Sequence, residues 1–255
     1  MKENAEKRRQ EIAEYVSENK KIRVSDIIER YGISGVSARN DLEILENEGM
    51  LRRVHGGAVS ISRQESGSDF DKRYKTNSAY KKELAKEVAK LIEDNDTIMM
   101  NAGTTLTYIL RAMQDKKNVS IVTNSLPNTV EALDSPSFNV ILLGGQIDPK
   151  YRYTFGADAL AQLEKYHANK CIISVDGINA QNGMTLYYSS EVDVIKKMID
   201  CSDTCIVAVT KSKIGKNTFA SVAPITDIDI LVTNRSEKTD EIATIKENGV
   251  KVYES

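Results

Sequence analysis

One stretch decides the fold of the first sixty residues: Val24-Ser-Asp-Ile-Ile-Glu-Arg-Tyr-Gly-Ile-Ser-Gly-Val-Ser-Ala-Arg-Asn-Asp-Leu-Glu-Ile-Leu45. A short apolar run is followed by Gly32, and glycine ends helices because it adopts the left-handed conformation without steric cost. Beyond it, Ala38, Leu42 and Leu45 recur at the spacing of a buried helix stripe. The stretch therefore predicts two short helices joined by a glycine turn, which is the helix-turn-helix arrangement.

Helical spacing and serine residues predict the limits of the neighbouring helices. Ile12 and Val16 lie one helical turn apart and predict an earlier helix over residues 8–17. A serine hydroxyl at a helix start accepts a hydrogen bond from a backbone amide that has no partner inside the helix. We therefore expect Ser25 to cap the second helix and Ser34 to cap the third.

Residues with strand character follow the third helix. Gly49 is expected to close that helix, and residues 50–55 then lead to a turn at Gly56-Gly57 and a second strand over residues 58–61. Paired with residues 21–23, these strands would form the wing of a winged helix. The predicted wing carries three basic side chains, Arg52, Arg53 and His55.

The polar face of the third helix suits a DNA major groove. Backbone amides and hydroxyls at a helix N-terminus bind phosphates, arginine binds guanine or phosphate, and asparagine makes two hydrogen bonds to adenine. The predicted DNA-binding residues are Ser34, Ser37, Arg39 and Asn40 on the helix and Arg52, Arg53 and His55 on the wing.

The charge balance does not by itself point to DNA. The net charge is −2, and residues 1–60 carry eleven Lys and Arg against eleven Asp and Glu. The prediction of DNA binding therefore depends on where the cations lie. The alternative is a winged helix that makes only protein contacts, with Arg39 and Arg52 as solvated charges.

Composition predicts a cytoplasmic protein without a membrane segment. Residues 1–10 are charged throughout, unlike a secretory signal, and no run approaches the roughly 20 apolar residues that span a bilayer.

Three cysteines do not make a disulfide framework. Cys201 and Cys205 are spaced as a possible metal or redox pair, but Cys171 and Cys205 open apolar runs, which favours buried structural thiols. We expect neither metal nor cofactor.

A polar stretch divides the chain into two domains. Serine and charged residues dominate residues 61–80, which we interpret as a linker between a DNA-binding domain over residues 1–60 and a second domain over residues 81–255. In the second domain, predicted strands alternate with helices: strands over 97–100, 119–122, 140–143, 171–175, 205–209 and 230–233, and helices over 84–92, 106–113, 126–133 and 191–199, with a last helix through Ile242. This alternation predicts an α/β domain with a mostly parallel sheet, whose ligands bind beyond the carboxyl ends of the strands.

Small polar residues follow four of the predicted strands, at that edge. They are Asn101-Ala-Gly-Thr-Thr105, Thr123-Asn-Ser125, Gly144-Gly145 and Asp176-Gly-Ile-Asn179. Glycine lets the backbone approach a ligand, and amides and hydroxyls at helix N-termini suit a phosphate dianion. Lys213, after the fifth strand, adds a compensating charge. Any one such loop is commonly only a turn, but four of them together predict an anion-binding site.

Ordered motifs in the first domain resemble the DeoR family of sugar-catabolism repressors. They are Arg23-Val-Ser-Asp26, Tyr31-Gly-Ile-Ser34, Ser37-Ala-Arg-Asn-Asp-Leu42, Leu45-Glu-Asn-Glu-Gly49 and Arg53-Val-His-Gly-Gly-Ala-Val59. Where that family usually has Thr-Ile-Arg-Arg-Asp-Leu, this chain has Ser37, Ala38 and Asn40 in place of Thr, Ile and the second Arg. The resemblance therefore implies DNA binding, but it does not carry over an operator sequence.

The second domain resembles the DeoR sensor domain, which is similar to sugar-phosphate isomerases and deaminases. The resemblance implies that Asp176, Glu191 and Lys213 surround a phosphorylated sugar. Asn101 and Thr210 stand where the family often has Asp, so the identity of the sugar is not carried over. The predicted effector-binding residues are Gly103, Thr104, Thr105, Thr123, Asn124, Ser125, Gly144, Gly145, Asp176, Gly177, Glu191 and Lys213.

These features together predict a homo-oligomeric repressor, a dimer or tetramer, of a carbohydrate-catabolism operon. Its partners would be double-stranded operator DNA and a phosphorylated sugar that releases the protein from that DNA. Two alternatives stay open. One is an active isomerase or deaminase in which Asp176 or Glu191 shuttles a proton. The other is a DNA-binding activator or scaffold whose sensor domain binds nothing.

Overall fold

The computed structural model describes residues 2–47, 50–60 and 70–255, which divide into two compact units, Met1–Ala79 and Tyr80–Ser255. In the first unit, the helices are α1 (Lys2–Asn19), α2 (Val24–Tyr31), α3 (Gly35–Asn47) and α4 (Phe70–Lys75), and the strands are β1 (Lys21–Arg23), β2 (Arg52–Val54) and β3 (Gly57–Val59). Helix α5 (Ser78–Ala89) leads into the second unit.

The first unit contains the predicted helix-turn-helix. Ala38, Leu42 and Leu45 of α3 are buried in one apolar cluster with Ile12 and Val16 of α1. Gly32 ends α2 with a φ of 61°, and its N–H donates to the Ile28 carbonyl over 2.9 Å. The apolar stripe and the glycine turn that the sequence predicted are therefore confirmed.

One of the two predicted helix caps is confirmed and the other is wrong. Ser34 caps α3, since its Oγ accepts the Ser37 N–H over 3.1 Å. Ser25 does not cap α2. That helix begins earlier, at Val24, because the Asp26 carboxylate accepts the Arg23 N–H over 3.1 Å, and Ser25 lies inside the first turn. Helix α1 also begins before residue 8, and Gly49 and Ile61 lie outside the described residues.

The wing is a three-stranded antiparallel sheet in the order β1-β3-β2. Val59 of the central strand lies opposite Lys21 of β1 and Arg52 of β2. The predicted pairing of residues 21–23 with the strands of the hairpin is confirmed.

The second unit is built on a sheet of seven parallel strands, which confirms the predicted parallel α/β fold. The strands are β4 (Thr97–Met100), β5 (Val119–Thr123), β6 (Phe138–Leu142), β9 (Lys170–Ile173), β12 (Cys205–Ala208), β14 (Ile230–Thr233) and β15 (Lys251–Glu254), and their order is β15-β14-β12-β9-β4-β5-β6. The chain adds strands outward from β4 to β6 and then crosses to β9 on the other side of β4. The strand order thus reverses between β4 and β9, where open sheets of this kind form a crevice.

Helices and two small antiparallel sheets surround the large sheet. The helices are α6 (Thr104–Ala112), α7 (Leu126–Ala132), α8 (Ala157–Leu163), α9 (Val192–Asp200) and α10 (Thr239–Glu247). A hairpin is formed by β7 (Gln146–Asp148) and β8 (Tyr153–Phe155), and a second sheet by β10 (Gly177–Asn179), β11 (Gly183–Leu186) and β13 (Ala220–Ala223). Across the described ranges, no helix combines the length and the apolar character needed to cross a membrane.

Candidate functional site

The loops after β4 and β9 meet at the point where the strand order reverses. The side-chain oxygen of Asn101 accepts the Ser174 N–H over 2.9 Å, and its Nδ2 donates to the Ser174 carbonyl over 3.1 Å. Asn128 of α7 donates to the Asn101 carbonyl over 3.1 Å. The amide side chains of Asn101 and Asn128 thus join the loop after β4 to the loop after β9 and to α7.

Glu191 connects two of the predicted loops. Its Oε1 accepts the Ala102 N–H over 2.9 Å and the Asn124 Nδ2 hydrogen over 3.1 Å. The side chain comes from the 3-10 turn Ser189–Glu191 that precedes α9, and the residue is 6% exposed. The structure therefore brings Glu191 and Asn124, which are 67 residues apart in the chain, into direct contact.

A buried lysine lies beside the predicted Gly-Thr-Thr loop. Gly103 precedes α6, and Thr104 and Thr105 are its first two residues. The Lys81 ammonium donates to Thr104 Oγ1 over 2.8 Å, and Lys81 is only 7% exposed. A buried cation at a helix N-terminus is an environment that favours an anion. Sequence reasoning missed Lys81, although it occupies the buried stripe of α5 that continues through Leu84, Ala85 and Val88.

Asp176 and Lys213 form an ion pair on the next loops along the sheet. The Lys213 Nζ lies 3.3 Å from Asp176 Oδ1, and the Tyr187 N–H donates to Asp176 Oδ2 over 3.1 Å. Lys213 also lies 5.8 Å from the centre of the Tyr187 ring. Asp176 is two residues beyond Ser174, and Tyr187 is four residues before Glu191. The Asp176–Lys213 ion pair and the Glu191 cluster, which comprises Glu191, Ala102 and Asn124, are therefore connected through the loop after β9 and the segment that precedes α9.

In the first unit, most of the predicted DNA-binding residues are exposed. The exposed ones are Ser34 just before α3, Arg39 and Asn40 on α3, and Arg52, Arg53 and His55 on the wing, whereas Ser37 is half-buried. The Arg39 Nη1 lies 3.5 Å from the Gly35 carbonyl, at the start of the same helix. The exposed residues leave polar groups of α3 and cations of the wing available to a partner.

Arg53 differs from the other wing residues because it is turned toward α3. Its N–H donates to Glu46 Oε1 over 2.7 Å, and its Nη1 lies 3.7 Å from Glu43 Oε2. The backbone N–H of Arg53 therefore connects the wing to α3, and its exposed guanidinium adds a longer ion pair. Its predicted contact with DNA is untested and would compete with these carboxylates.

Two family models match this chain. Residues 8–64 match the DeoR-like helix-turn-helix domain, and residues 76–235 match the DeoR C terminal sensor domain. This chain belongs to the DeoR family. It is therefore a DNA-binding transcriptional regulator with a sensor domain rather than an enzyme.

Relatives cover nearly the whole chain. The HTH-type transcriptional regulator YulB of Bacillus subtilis (strain 168) is 34% identical over 245 residues, which are 96% of this chain and 95% of YulB. The HTH-type transcriptional repressor GlcR of the same organism is 28% identical, with 94% of this chain and 93% of GlcR covered. Among solved structures, ribose 5-phosphate isomerase A of Methanocaldococcus jannaschii aligns over 54% of each chain at 16% identity, with a TM-score of 0.40.

In this DeoR-family sensor domain, two of the predicted effector residues support the turn after β5. Ser125 Oγ accepts the Asn128 N–H over 3.2 Å and so caps α7, and Thr123 Oγ1 accepts the Ser125 N–H over 3.1 Å. Both side chains are fully buried. Of this loop, Asn124 is the residue whose side chain reaches the Glu191 cluster.

The predicted glycines are explained by close packing. The Gly144 N–H donates to Gln162 Oε1 over 3.0 Å. A Cβ at Gly145 would lie 2.6 Å from the Phe155 carbonyl oxygen, and a Cβ at Gly177 would lie 2.7 Å from the Lys216 carbonyl oxygen. These contacts account for glycine at 145 and 177 without a ligand, so their contact with an effector stays a prediction.

The cysteines of the sensor domain are structural. Cys171 of β9 and Cys205 of β12 lie opposite each other and are buried, whereas Cys201 is partly exposed. A hydrogen bond with Cys171, together with burial, raises the pKa of the Cys205 thiol well above its usual value. The thiol therefore stays protonated and is a poor nucleophile and metal ligand. In the ranges that the structure describes, no three His, Cys, Asp or Glu side chains are grouped to hold a metal ion.

Proposed function

We propose that this DeoR-family regulator represses a carbohydrate-catabolism operon and is released from its operator by a phosphorylated sugar. The observation that carries the proposal is the buried Lys81 ammonium beside Thr104 at the N-terminus of α6. This arrangement suits a phosphate group, because the cation and the helix N-terminus both attract an anion. Asp176, Glu191 and Asn124 supply acceptors and donors of the kind that bind sugar hydroxyls.

Operator DNA is proposed to bind the exposed face of α3 and the wing. Arg39, Asn40 and Arg52 are exposed and include the side chains that contact guanine, adenine and phosphate. The relative GlcR is named a repressor, which supports repression as the response. Since its target is the cell's DNA, we place the protein in the cytoplasm.

A homo-oligomer is proposed to associate through the outer strand of the sensor sheet. Strand β6 is at the sheet edge and its sequence, Phe-Asn-Val-Ile-Leu, has no charged residue of the kind that usually protects an exposed edge. Exposed apolar side chains accompany it: Val130 and Leu133 at α7, Leu142 on β6 and Ile147 on β7. Association of two copies would supply paired DNA-binding domains for paired half-sites.

Release from DNA requires that the sugar phosphate prefer one conformation of the protein. A ligand that binds equally well to the DNA-bound and the free conformation does not shift the equilibrium between them. We propose that the effector, held by Lys81, Lys213 and the Glu191 cluster, stabilises an arrangement of the paired DNA-binding domains that does not match the half-site spacing. The effector thus acts by changing the spacing of the paired DNA-binding domains and need not contact the DNA.

The test is a gel shift with the full-length protein and the DNA upstream of its neighbouring operon, titrated with a panel of hexose and pentose phosphates. We expect a retarded band that one sugar phosphate abolishes and its unphosphorylated sugar does not. Thr104→Ala and Lys213→Ala should still bind the DNA but respond only at much higher sugar phosphate concentrations. A band that no sugar phosphate affects, in the presence of a working DNA contact, would contradict the proposed effector class.

A further inference from the structure

Val36 is the most exposed large apolar side chain among the described residues, at 76%. It is the second residue of α3, and the opposite face of that helix is buried through Ala38, Leu42 and Leu45. Packing within the first unit therefore does not explain a valine at this position. A side chain that presents its isopropyl group to solvent at the start of the second helix of a helix-turn-helix is placed to meet a partner.

The helical register puts Val36 on the same face as two exposed polar residues. Asn40 lies four residues later and Glu43 seven residues later, which are neighbouring positions along one face. Both are exposed. The outward stripe of α3 thus carries an apolar group, then an amide, then a carboxylate.

The polar side chains near Val36 make contacts within α3 and remain exposed or half-exposed to a partner. Ser34 Oγ accepts the Ser37 N–H over 3.1 Å and lies 3.0 Å from Ser37 Oγ, so both hydroxyls serve the helix cap. The Arg39 guanidinium lies 3.5 Å from the Gly35 carbonyl. Val36 is consequently the group that the first turn offers outward without a hydrogen bond to break.

The chemistry of the isopropyl group restricts what it can recognise on DNA. It neither donates nor accepts hydrogen bonds, and the apolar group that base edges present in the major groove is the C5-methyl of thymine. We infer that Val36 contacts the C5-methyl group of a thymine and selects thymine at that operator position. This inference rests on the proposed binding of DNA by α3.

The position of that thymine follows from the helix geometry. Four helical residues rise about 6 Å along the axis, whereas successive bases of one DNA strand are about 3.4 Å apart. The thymine that Val36 contacts therefore lies within about two base-pair steps of the adenine that Asn40 is proposed to bind.

The experiment removes in turn the methyl groups on the two sides of the proposed contact, those of Val36 and that of the thymine. Full-length protein is first used to select a duplex from a pool of random sequence. Each thymine of that duplex is then replaced singly by deoxyuracil, which lacks only the methyl, and the Kd of each duplex is measured for wild type, Val36→Ala and Val54→Ala. Val36 is exposed and alanine favours helix, so Val36→Ala should fold like wild type. Val54, an exposed valine of the wing strand β2, is the matched control for the ratio of the two Kd values, whatever its truncation does to the overall Kd.

We expect one thymine whose replacement weakens binding of wild type and Val54→Ala by about fourfold, the size expected for one buried methyl group. Val36→Ala should bind the thymine and deoxyuracil duplexes equally well. If wild type is indifferent to every replacement, or if Val36→Ala keeps the full penalty, the inference is wrong while DNA binding stands. If selection recovers no preferred duplex, the proposed function itself fails.

Discussion

Lys81 is a buried lysine of the sensor unit, with only 7% of the residue exposed. Its Nζ bonds to Thr104 at the head of α6, in the loop proposed to hold phosphate. The neighbouring Lys82 has the same charge on the same helix but is exposed. Comparing substitutions of Lys81 and Lys82 therefore distinguishes the effect of one buried cation from the effect of surface positive charge in general.

We predict that Lys81→Met weakens binding of the sugar phosphate that releases the protein from DNA by roughly 10- to 100-fold, since a hydrogen bond to a charged group contributes about 1.5–3 kcal/mol. Lys82→Met should respond like wild type. The measurement is isothermal titration of each full-length variant, with operator binding as the check that the fold is retained. Wild-type affinity in Lys81→Met would show that this ammonium does not hold the effector.

Adjacent arginines of the wing are predicted to have different roles. Both are exposed on β2, but Arg53 also contacts Glu43 and Glu46 of α3. Arg52→Ala should reduce the slope of log K against log salt for operator binding by about one unit, because one phosphate contact is lost. Arg53→Ala should change that slope less. Titrations at several salt concentrations check this, and equal slope changes in the two variants would contradict the assignment.

Among the elements, α3 combines a stabilising cap with the proposed DNA-binding surface. Its first turn depends on Ser34, and its body is held by Asp41, whose side chain is 3% exposed and lies 2.7 Å from Arg8 and 3.5 Å from Arg9 of α1. The sequence motif contained Asp41, but its role as the anchor of α1 on α3 was not predicted. Substitutions of Ser34 can therefore distinguish the effect of the cap on stability from its effect on DNA binding.

We predict that Ser34→Ala lowers the free energy of unfolding of the first unit by about 1 kcal/mol through loss of the cap. Ser34→Asp should retain most of the stability, because aspartate also caps helices, but should weaken operator binding, because its charge repels phosphate. Urea unfolding and a DNA titration measure the two effects. If Ser34→Asp bound operator as tightly as wild type, the α3 N-terminus would not face the DNA backbone.

Smaller elements were missed where they depend on distant partners. Strands β10, β11 and β13 read Gly-Ile-Asn, Gly-Met-Thr-Leu and Ala-Ser-Val-Ala, so they lack the continuous apolar run that marked equally short strands such as β4 and β12. They form because Gly177 pairs with Thr185 and Met184 pairs with Ala223, the latter 39 residues away. The strands of the parallel sheet were predicted because they are apolar runs that alternate with helices, and the helices because they repeat an apolar spacing several times.

For the whole molecule, the proposed mechanism makes effector and operator binding reciprocal. If the sugar phosphate weakens operator binding by a given factor, the operator must weaken sugar phosphate binding by the same factor, typically about 5- to 150-fold. We expect the effector Kd, measured by titration calorimetry, to rise by that factor when the full-length protein is saturated with the selected duplex.

A duplex of scrambled sequence serves as the control and should leave the effector Kd much closer to its DNA-free value. Unequal factors in the two directions would contradict a mechanism in which both ligands act on one conformational equilibrium. An effector Kd unaffected by operator would mean that the sensor does not control the DNA-binding domains.

Periodic apolar residues, glycine turns and polar loops were enough to predict the helix-turn-helix, the wing and the parallel sheet, because these signals are local and repeat along the chain. The family was predicted from the resemblance of whole ordered motifs to the DeoR family. Only the tertiary structure decided which polar groups meet. Glu191 contacts Ala102 across 89 residues, Lys81 reaches Thr104, and the Arg53 N–H donates to Glu46 of α3. The physical reason is that a hydrogen bond between distant residues depends on how whole elements pack, and no local pattern encodes that packing.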